Sequence, residues 1–137
     1  MKEQTLVIIK PDGVARGLIG EVVSRYEKRK FEISACKIVQ PSRVVVEAHY
    51  EEHKGKDFFE ELIDYFLEGP IFVMLVEGSE AIEVIRNMNG DKNFKVALPG
   101  TIRGDFANST TRNIVHASDS REAVKRETEI WFPERHK

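Results

Sequence analysis

The period of the apolar positions changes several times along this chain, and each change predicts a new element. Thr5-Leu6-Val7-Ile8-Ile9 is a β-rich run that predicts a strand, closed by Lys10-Pro11-Asp12-Gly13, whose residues have turn chemistry. Ile19, Val22, Val23 and Tyr26 then recur on one helical face, and Lys28-Arg29-Lys30 suits the negative end of that helix dipole. A second strand is predicted over 32–39. Ser42 is placed to cap a helix carrying Val44, Val45 and Ala48; Phe58, Phe59, Leu62, Ile63 and Phe66 form a further helical stripe, with Asp57 as its expected cap and Gly69-Pro70 as its stop. Ile71-Phe72-Val73-Met74-Leu75-Val76 is apolar without alternation, which predicts a central strand covered on both faces. Ser79 precedes a helical stripe of Ala81, Ile82, Val84, Ile85 and Met88 that breaks at Asn89-Gly90. A long loop then reaches Asn113-Ile114-Val115, a last strand delivering His116, and a helix opens at Ser118 to Ser120 and runs to about Glu127.

This order, with helices in the crossovers and no repeat or linker, predicts a βαββαβ sheet with helices packed on it. A chain of 137 residues, 41% hydrophobic, suits one domain spanning 1–137. The formal net charge of -2 leaves no global basic surface for nucleic acid or acidic lipid, so any anion site is local. Cys36 is the only cysteine, which excludes an intramolecular disulfide, and its strand-like surroundings predict a buried packing thiol. Apolar runs fall short of the roughly 18 residues that span a bilayer, and MKEQT lacks a signal-peptide layout. A cytoplasmic protein is expected.

Neither a Gly-x-x-x-x-Gly-Lys-Ser/Thr cradle nor the HRD and DFG set of protein kinases occurs, so a phosphate site has to be assembled from distant residues. Lys10 at a strand end, Arg86 near a helix end and Arg103 in the Gly/Thr-rich loop are the candidate cations. His116 stands at a strand-to-helix junction, where a neutral imidazole near pH 7 is a competent nucleophile once a partner fixes its tautomer. Glu122, Glu127 and Glu129 are all near enough in sequence to be that partner, and spacing does not choose among them.

The run Asn113-Ile114-Val115-His116-Ala117-Ser118-Asp119 resembles the active-site signature of the nucleoside diphosphate kinase family. Lys10-Pro11-Asp12-Gly13 resembles that family's strand-one lysine motif, His49-Tyr50-Glu51-Glu52-His53-Lys54-Gly55-Lys56 its tyrosine-bearing helix hairpin, and Pro99-Gly100-Thr101-Ile102-Arg103-Gly104-Asp105 its late loop. The resemblance runs in order from residue 4 to 132. It implies an α+β, ferredoxin-like βαββαβ domain whose four-stranded antiparallel sheet is covered by helices. It also implies ping-pong exchange of a γ-phosphoryl group between nucleoside triphosphates and diphosphates, with Mg²⁺ carried on the nucleotide phosphates.

Carried over by position, it makes His116 the phosphorylated nucleophile through Nδ1 and Glu127 the partner of its other nitrogen. Arg86 and Arg103 become phosphate clamps, Lys10 a contact to the terminal phosphate and ribose hydroxyls, and Asn113 a ligand of the ribose 3′-hydroxyl. Tyr50 falls beside the transferring group, Phe58 stacks on the base and Leu62 lines its pocket. Stacking suits every base, so broad nucleotide use follows. Pro99 and Gly100 imply a homohexamer or homotetramer. The pattern also departs from the family's: Lys92 stands where a threonine hydroxyl normally meets a β-phosphate, Asp57 replaces a frequent proline, and Thr110 takes an often apolar place beside the base.

Other candidates keep structural readings. His49, His53 and His136 are expected as surface or packing residues, and Phe59, Ile63 and Phe66 as core. Two rival functions are a noncatalytic nucleotide-binding module on the same fold and an RNA-binding ferredoxin-like domain. Aliphatic strands and negative net charge count against the second.

Overall fold

In the computed structural model, which describes residues 2–135, strand β1 (Lys2–Ile9) begins before the apolar run that predicts it. Its polar start is held by pairing: Lys2 lies opposite Ser79 and Gln4 opposite Glu77 of β3 (Ile71–Ser79). The chain continues with helices α1 (Pro11–Ala15) and α2 (Ile19–Lys28), strand β2 (Glu32–Val39), and helices α3 (Arg43–His49), α4 (Phe59–Phe66) and α5 (Ala81–Asn89). Helix α6 (Ile102–Phe106), strand β4 (Val115–Ala117) and helix α7 (Arg121–Trp131) complete them. The strands form one antiparallel sheet in the order β2-β3-β1-β4, the ferredoxin-like arrangement.

The two central strands explain the unbroken apolar runs. Leu6 and Ile8 point to one face and meet Val46 of α3, Ile63 and Phe66 of α4, and Trp131 of α7. Val7 and Ile9 point to the other and meet Val22 and Tyr26 of α2 and Ile85 of α5. Period-two alternation therefore buries every residue from Leu6 to Ile9 completely. Each such side chain contributes about 1.5–3 kcal/mol relative to exposure, so the centre of the sheet is the firmest floor the fold offers a site.

Several local expectations are corrected. The Lys10-Pro11-Asp12-Gly13 turn is the start of α1, with Pro11 at a first-turn position that needs no amide hydrogen. Ser79, just ahead of the helical stripe, belongs to β3; Glu80, at φ 51°, takes the cap position of α5, and the Ile82 amide finds the Glu3 carboxylate at 2.9 Å. Asp57 does not cap α4, whose cap residue is Phe58; Glu60 and Glu61 balance the first-turn dipole there. The long loop contains α6, capped by the Thr101 hydroxyl accepting from Gly104 N at 2.9 Å. Cys36 is exposed, because β2 is an edge strand whose outer positions no helix covers. Ser42 and Ser120 do cap α3 and α7. His136 lies outside the described residues.

Candidate active site

Pairing of β1 with β4 sets Ile9 opposite Val115 and Ile8 opposite His116, so Lys10 leaves its strand beside the residues that deliver the histidine. The Lys10 amide donates to the Ile114 carbonyl at 2.7 Å. Ile114 sits at φ 77°, and Val115 N closes onto the Asn113 carbonyl at 2.9 Å. That is a γ-turn in its strained, positive-φ form, which costs on the order of 1–3 kcal/mol and persists only where its surroundings enforce it.

Asp12 enforces it. Its Oδ2 accepts from Ile114 N at 3.1 Å, and its Oδ1 accepts from the Tyr65 hydroxyl. The Arg112 guanidinium lies 5.0 Å over the Tyr65 ring and also pairs with Glu68. Gly13 lets α1 press on the turn, since a Cβ there would stand 2.7 Å from Ile9 Cγ2 and 3.0 Å from Ile114 Cγ2. The turn in turn fixes the Asn113 carboxamide: its oxygen accepts from Lys10 Nζ at 2.8 Å and its nitrogen donates to the Thr110 carbonyl at 2.9 Å.

Arg103, only 7% exposed, braces the same segment from below. Its Nε donates to the Asn113 carbonyl at 3.3 Å, Nη1 to the Gly90 carbonyl at 2.6 Å and Nη2 to the Val115 carbonyl at 2.6 Å. A guanidinium has five N–H groups, so two remain for a ligand. Burial lowers the Arg103 pKa without threatening its charge. Burial, then the neighbouring Arg103 charge, brings Lys10 down to about 7, so its ammonium form is sensitive to any arriving anion.

His116 Nε2 lies 2.8 Å from Glu127 Oε1, which also accepts the Ser118 hydroxyl at 2.7 Å. Of the three glutamates that spacing left open, Glu127 is the one in contact. With a carboxylate as acceptor the ring proton sits on Nε2, which leaves the lone pair on Nδ1. His49 packs edge-on against the His116 ring, centroids 4.6 Å apart, and its Nδ1 accepts from Trp131 Nε1 at 3.0 Å. Burial first, and then electrostatic repulsion against a second protonated ring at His116, hold His49 well below the usual imidazole range, so it stays neutral. It is a packing residue, as expected, but what it packs is the His116 ring.

These groups open into one cleft of about 790 Å³ whose lining includes Lys10, Tyr50, Phe58, Leu62, Arg86, Lys92, Arg103, Asn113, His116 and Glu127. The structure thus brings every sequence-predicted site residue to a single cavity. Tyr50 stacks edge-on to His49 at 4.8 Å, and burial raises its pKa, so it is a neutral hydroxyl. Phe58 forms an open lip, 45% exposed, beside His53 at 5.5 Å. Arg86 Nη1 is 4.0 Å from Asp119 Oδ2. Sequence reasoning missed Asp12, Tyr65 and Ser118 as parts of the site, although Asp12 and Ser118 stand two residues from Lys10 and His116. Tyr65 gave no sequence signal, because the contact it makes spans distant segments.

His49, His116 and Glu127 hold potential ligand atoms within 4.8 Å of one another. His49 Nδ1 and His116 Nε2 already have hydrogen-bond partners, and one carboxylate is a poor match for an oxygen-seeking ion such as Mg²⁺. Among the described residues this is no protein cage for magnesium.

A partnered imidazole facing unneutralised cations, with an aromatic lip at the far end, is the layout of a nucleotide-dependent phosphotransferase. The family model described as Nucleoside diphosphate kinase matches residues 3–136. A relative of that name from Caldanaerobacter subterraneus subsp. tengcongensis is 57% identical over 96% of this chain and 95% of its own length. Another, from Sulfurisphaera tokodaii, is 54% identical over 96% of this chain and 90% of its own. The solved structure of a Babesia bovis nucleoside diphosphate kinase family protein superposes with a TM-score of 0.93 at 47% identity, over 96% of this chain and 90% of that one. The halophilic enzyme of Halobacterium salinarum, solved in complex with CDP, gives 0.93 at 38% identity over 96% of this chain and 88% of its own. The chain belongs to the nucleoside diphosphate kinase family.

Proposed function

We propose that this nucleoside diphosphate kinase works through His116, whose Nδ1 takes the γ-phosphoryl group of a nucleoside triphosphate and then passes it to a nucleoside diphosphate. The Nδ1 lone pair forms the N–P bond as the bond from phosphorus to the bridging oxygen breaks and the diphosphate leaves. The second half-reaction runs the same steps backwards with a new acceptor. The observation that carries this reading is the His116–Glu127 contact at 2.8 Å, which leaves Nδ1 as the nucleophilic nitrogen. The positive charge that develops on the ring is met by the Glu127 carboxylate.

Arg86 and the free N–H groups of Arg103 clamp the phosphates, where negative charge spreads over equatorial oxygens in flight. Lys10 and Asn113, joined at 2.8 Å, receive the terminal phosphate and the ribose hydroxyls. Tyr50 lies beside the transferring group, Phe58 stacks on the base, Leu62 lines its pocket, and Lys92 adds a phosphate contact. Mg²⁺ carried on the nucleotide would supply counter-charge to its phosphates beside Arg86 and Arg103. The CDP in the Halobacterium relative's structure supports a nucleotide as occupant.

The domain is taken as one unit over 1–137, and the assembly as a homohexamer or homotetramer built around the Pro99-Gly100 loop. Exposed Val96 and Leu98 on that loop support an interface. No described helix is long and apolar enough to cross a membrane, and a cytoplasmic location is proposed with the rest.

The test is incubation with γ-labelled ATP and Mg²⁺. Wild type should acquire an acid-labile, base-stable label that GDP discharges, and His116→Ala should acquire none. An unlabelled wild type, or a labelled His116→Ala, ends the proposal.

A further inference from the structure

Arg126 lines the cleft, and the phosphoryl-transfer scheme above gives it no part. It stands next to Glu127 on α7, but the two side chains serve different walls. Glu127 reaches His116 on β4 at 2.8 Å. Arg126 reaches the end of α3, where Nη1 donates to the Ala48 carbonyl at 3.1 Å and Nη2 to the His49 carbonyl at 3.4 Å. The last carbonyls of a helix run short of amide donors, and the negative end of its dipole favours a cation. A guanidinium meets both needs with one rigid fork.

That helix end walls the nucleophile. His49 packs edge-on against His116, centroids 4.6 Å apart, and Tyr50 packs edge-on against His49 at 4.8 Å. Trp131 Nε1, also from α7, donates to His49 Nδ1 at 3.0 Å and so locates its ring, while Arg126 locates its backbone. Arg126 Nη2 is also 3.7 Å from Glu127 Oε2, the carboxylate oxygen that neither His116 nor Ser118 uses. We propose that Arg126 is a positioning residue for phosphoryl transfer, its guanidinium holding His49 and Tyr50 in place against the His116–Glu127 pair. It acts through these neighbours and needs no contact with the nucleotide. Its charge adds, after burial and His116, to what keeps His49 neutral.

The inference rests on the phosphohistidine reading above. Wild type, Arg126→Ala and Arg126→Lys are compared by rapid-quench labelling with γ-labelled ATP and Mg²⁺, each rate being taken per site that labels at the endpoint. At saturating ATP Arg126→Ala should label about tenfold more slowly, with its KM within about threefold, because the walls loosen while the clamps stay. Arg126→Lys keeps the charge but fills only one of the two carbonyl contacts, so it should lose about threefold, and it carries the test if the alanine variant does not fold. The Arg126 side chain is 41% exposed, so a small solute can reach the vacated place. Ethylguanidinium, far below denaturing concentration, should therefore restore much of the Arg126→Ala rate, which it would not do for a general loss of stability. A wild-type rate in either variant, a loss in KM alone, or an alanine variant that ethylguanidinium does not speed would overturn the proposal. Any of these with normal GDP-discharged labelling of wild type sinks this inference alone; absence of that label sinks the proposed function.

Discussion

The two ends of the cleft are built on opposite plans. At the histidine end Arg103, Asn113 and Glu127 are 7%, 3% and 4% exposed, and each bonds a residue from another segment: Val115, Lys10 and Ser118. A left-handed isoleucine is kept in place there by Asp12, Tyr65 and Arg112 acting in series. At the other end Phe58 is 45% exposed and follows a 3₁₀ turn and a run of mostly exposed residues, and a phenyl ring offers a base only its face. Tolerances follow chemistry: phosphorus must be met within a fraction of an ångström, whereas a base need only find a π face. The strain stored at Ile114 belongs to the first demand, and nothing comparable serves the second.

If that contrast is right, damage to the histidine end should be severe and independent of the base. Glu127→Gln is expected to lower the rate of phosphohistidine formation about 10²-fold while leaving nucleotide affinity within a fewfold, because the ring loses its charged partner but the clamps remain. Rapid-quench labelling with ATP and with GTP should give the same factor. A loss confined to one nucleotide, or to affinity, would mean that Glu127 serves the pocket and not the ring.

The difference between the two ends also decides what the chain reveals unfolded. The floor of the site was legible: local pattern placed β2 over 32–39 and β4 at His116, and burial on both faces gave the central β3 its unbroken apolar run. Motif resemblance gathered ten residues that one cleft does contain. What stayed hidden is what single segments do not encode. Spacing did not choose Glu127 over Glu122 and Glu129, which depends on which face of α7 turns toward β4; only the motif resemblance did. The Asp12–Tyr65–Arg112 brace joins α1, α4 and the late loop across the fold. Cys36 reads as buried until its strand is known to be an edge.

Lys10 sharpens the comparison through pH. Its pKa of about 7 in the free protein rises when phosphate supplies a negative partner, so binding takes up a proton above that value. The ammonium contribution is fully present below pH 7 and is lost as pH climbs, at up to about tenfold in affinity per unit until the bound-state pKa is reached. Calorimetric ADP titrations from pH 6 to 9 in buffers of different ionisation enthalpy should register this uptake, and Lys10→Ala should abolish it. An affinity that is flat across that range would place a permanently charged lysine in the cleft.

The base end should yield the smallest change. Phe58→Ala is expected to raise KM about fivefold, the low end for loss of one stacking partner, because an exposed ring is only partly desolvated before the base arrives. The value of kcat should hold, since none of the groups around His116 leans on that ring: its nearest aromatic neighbour is His53, at 5.5 Å. Steady-state kinetics with adenine, guanine, cytosine and uracil diphosphates distinguish the cases. A similar rise for all four supports a lip that grips any π face, with purines somewhat more affected for their larger overlap. A large loss for one base with little for the others would mean that hydrogen bonding at this end reads base identity, and the open lip would then be a second selective site.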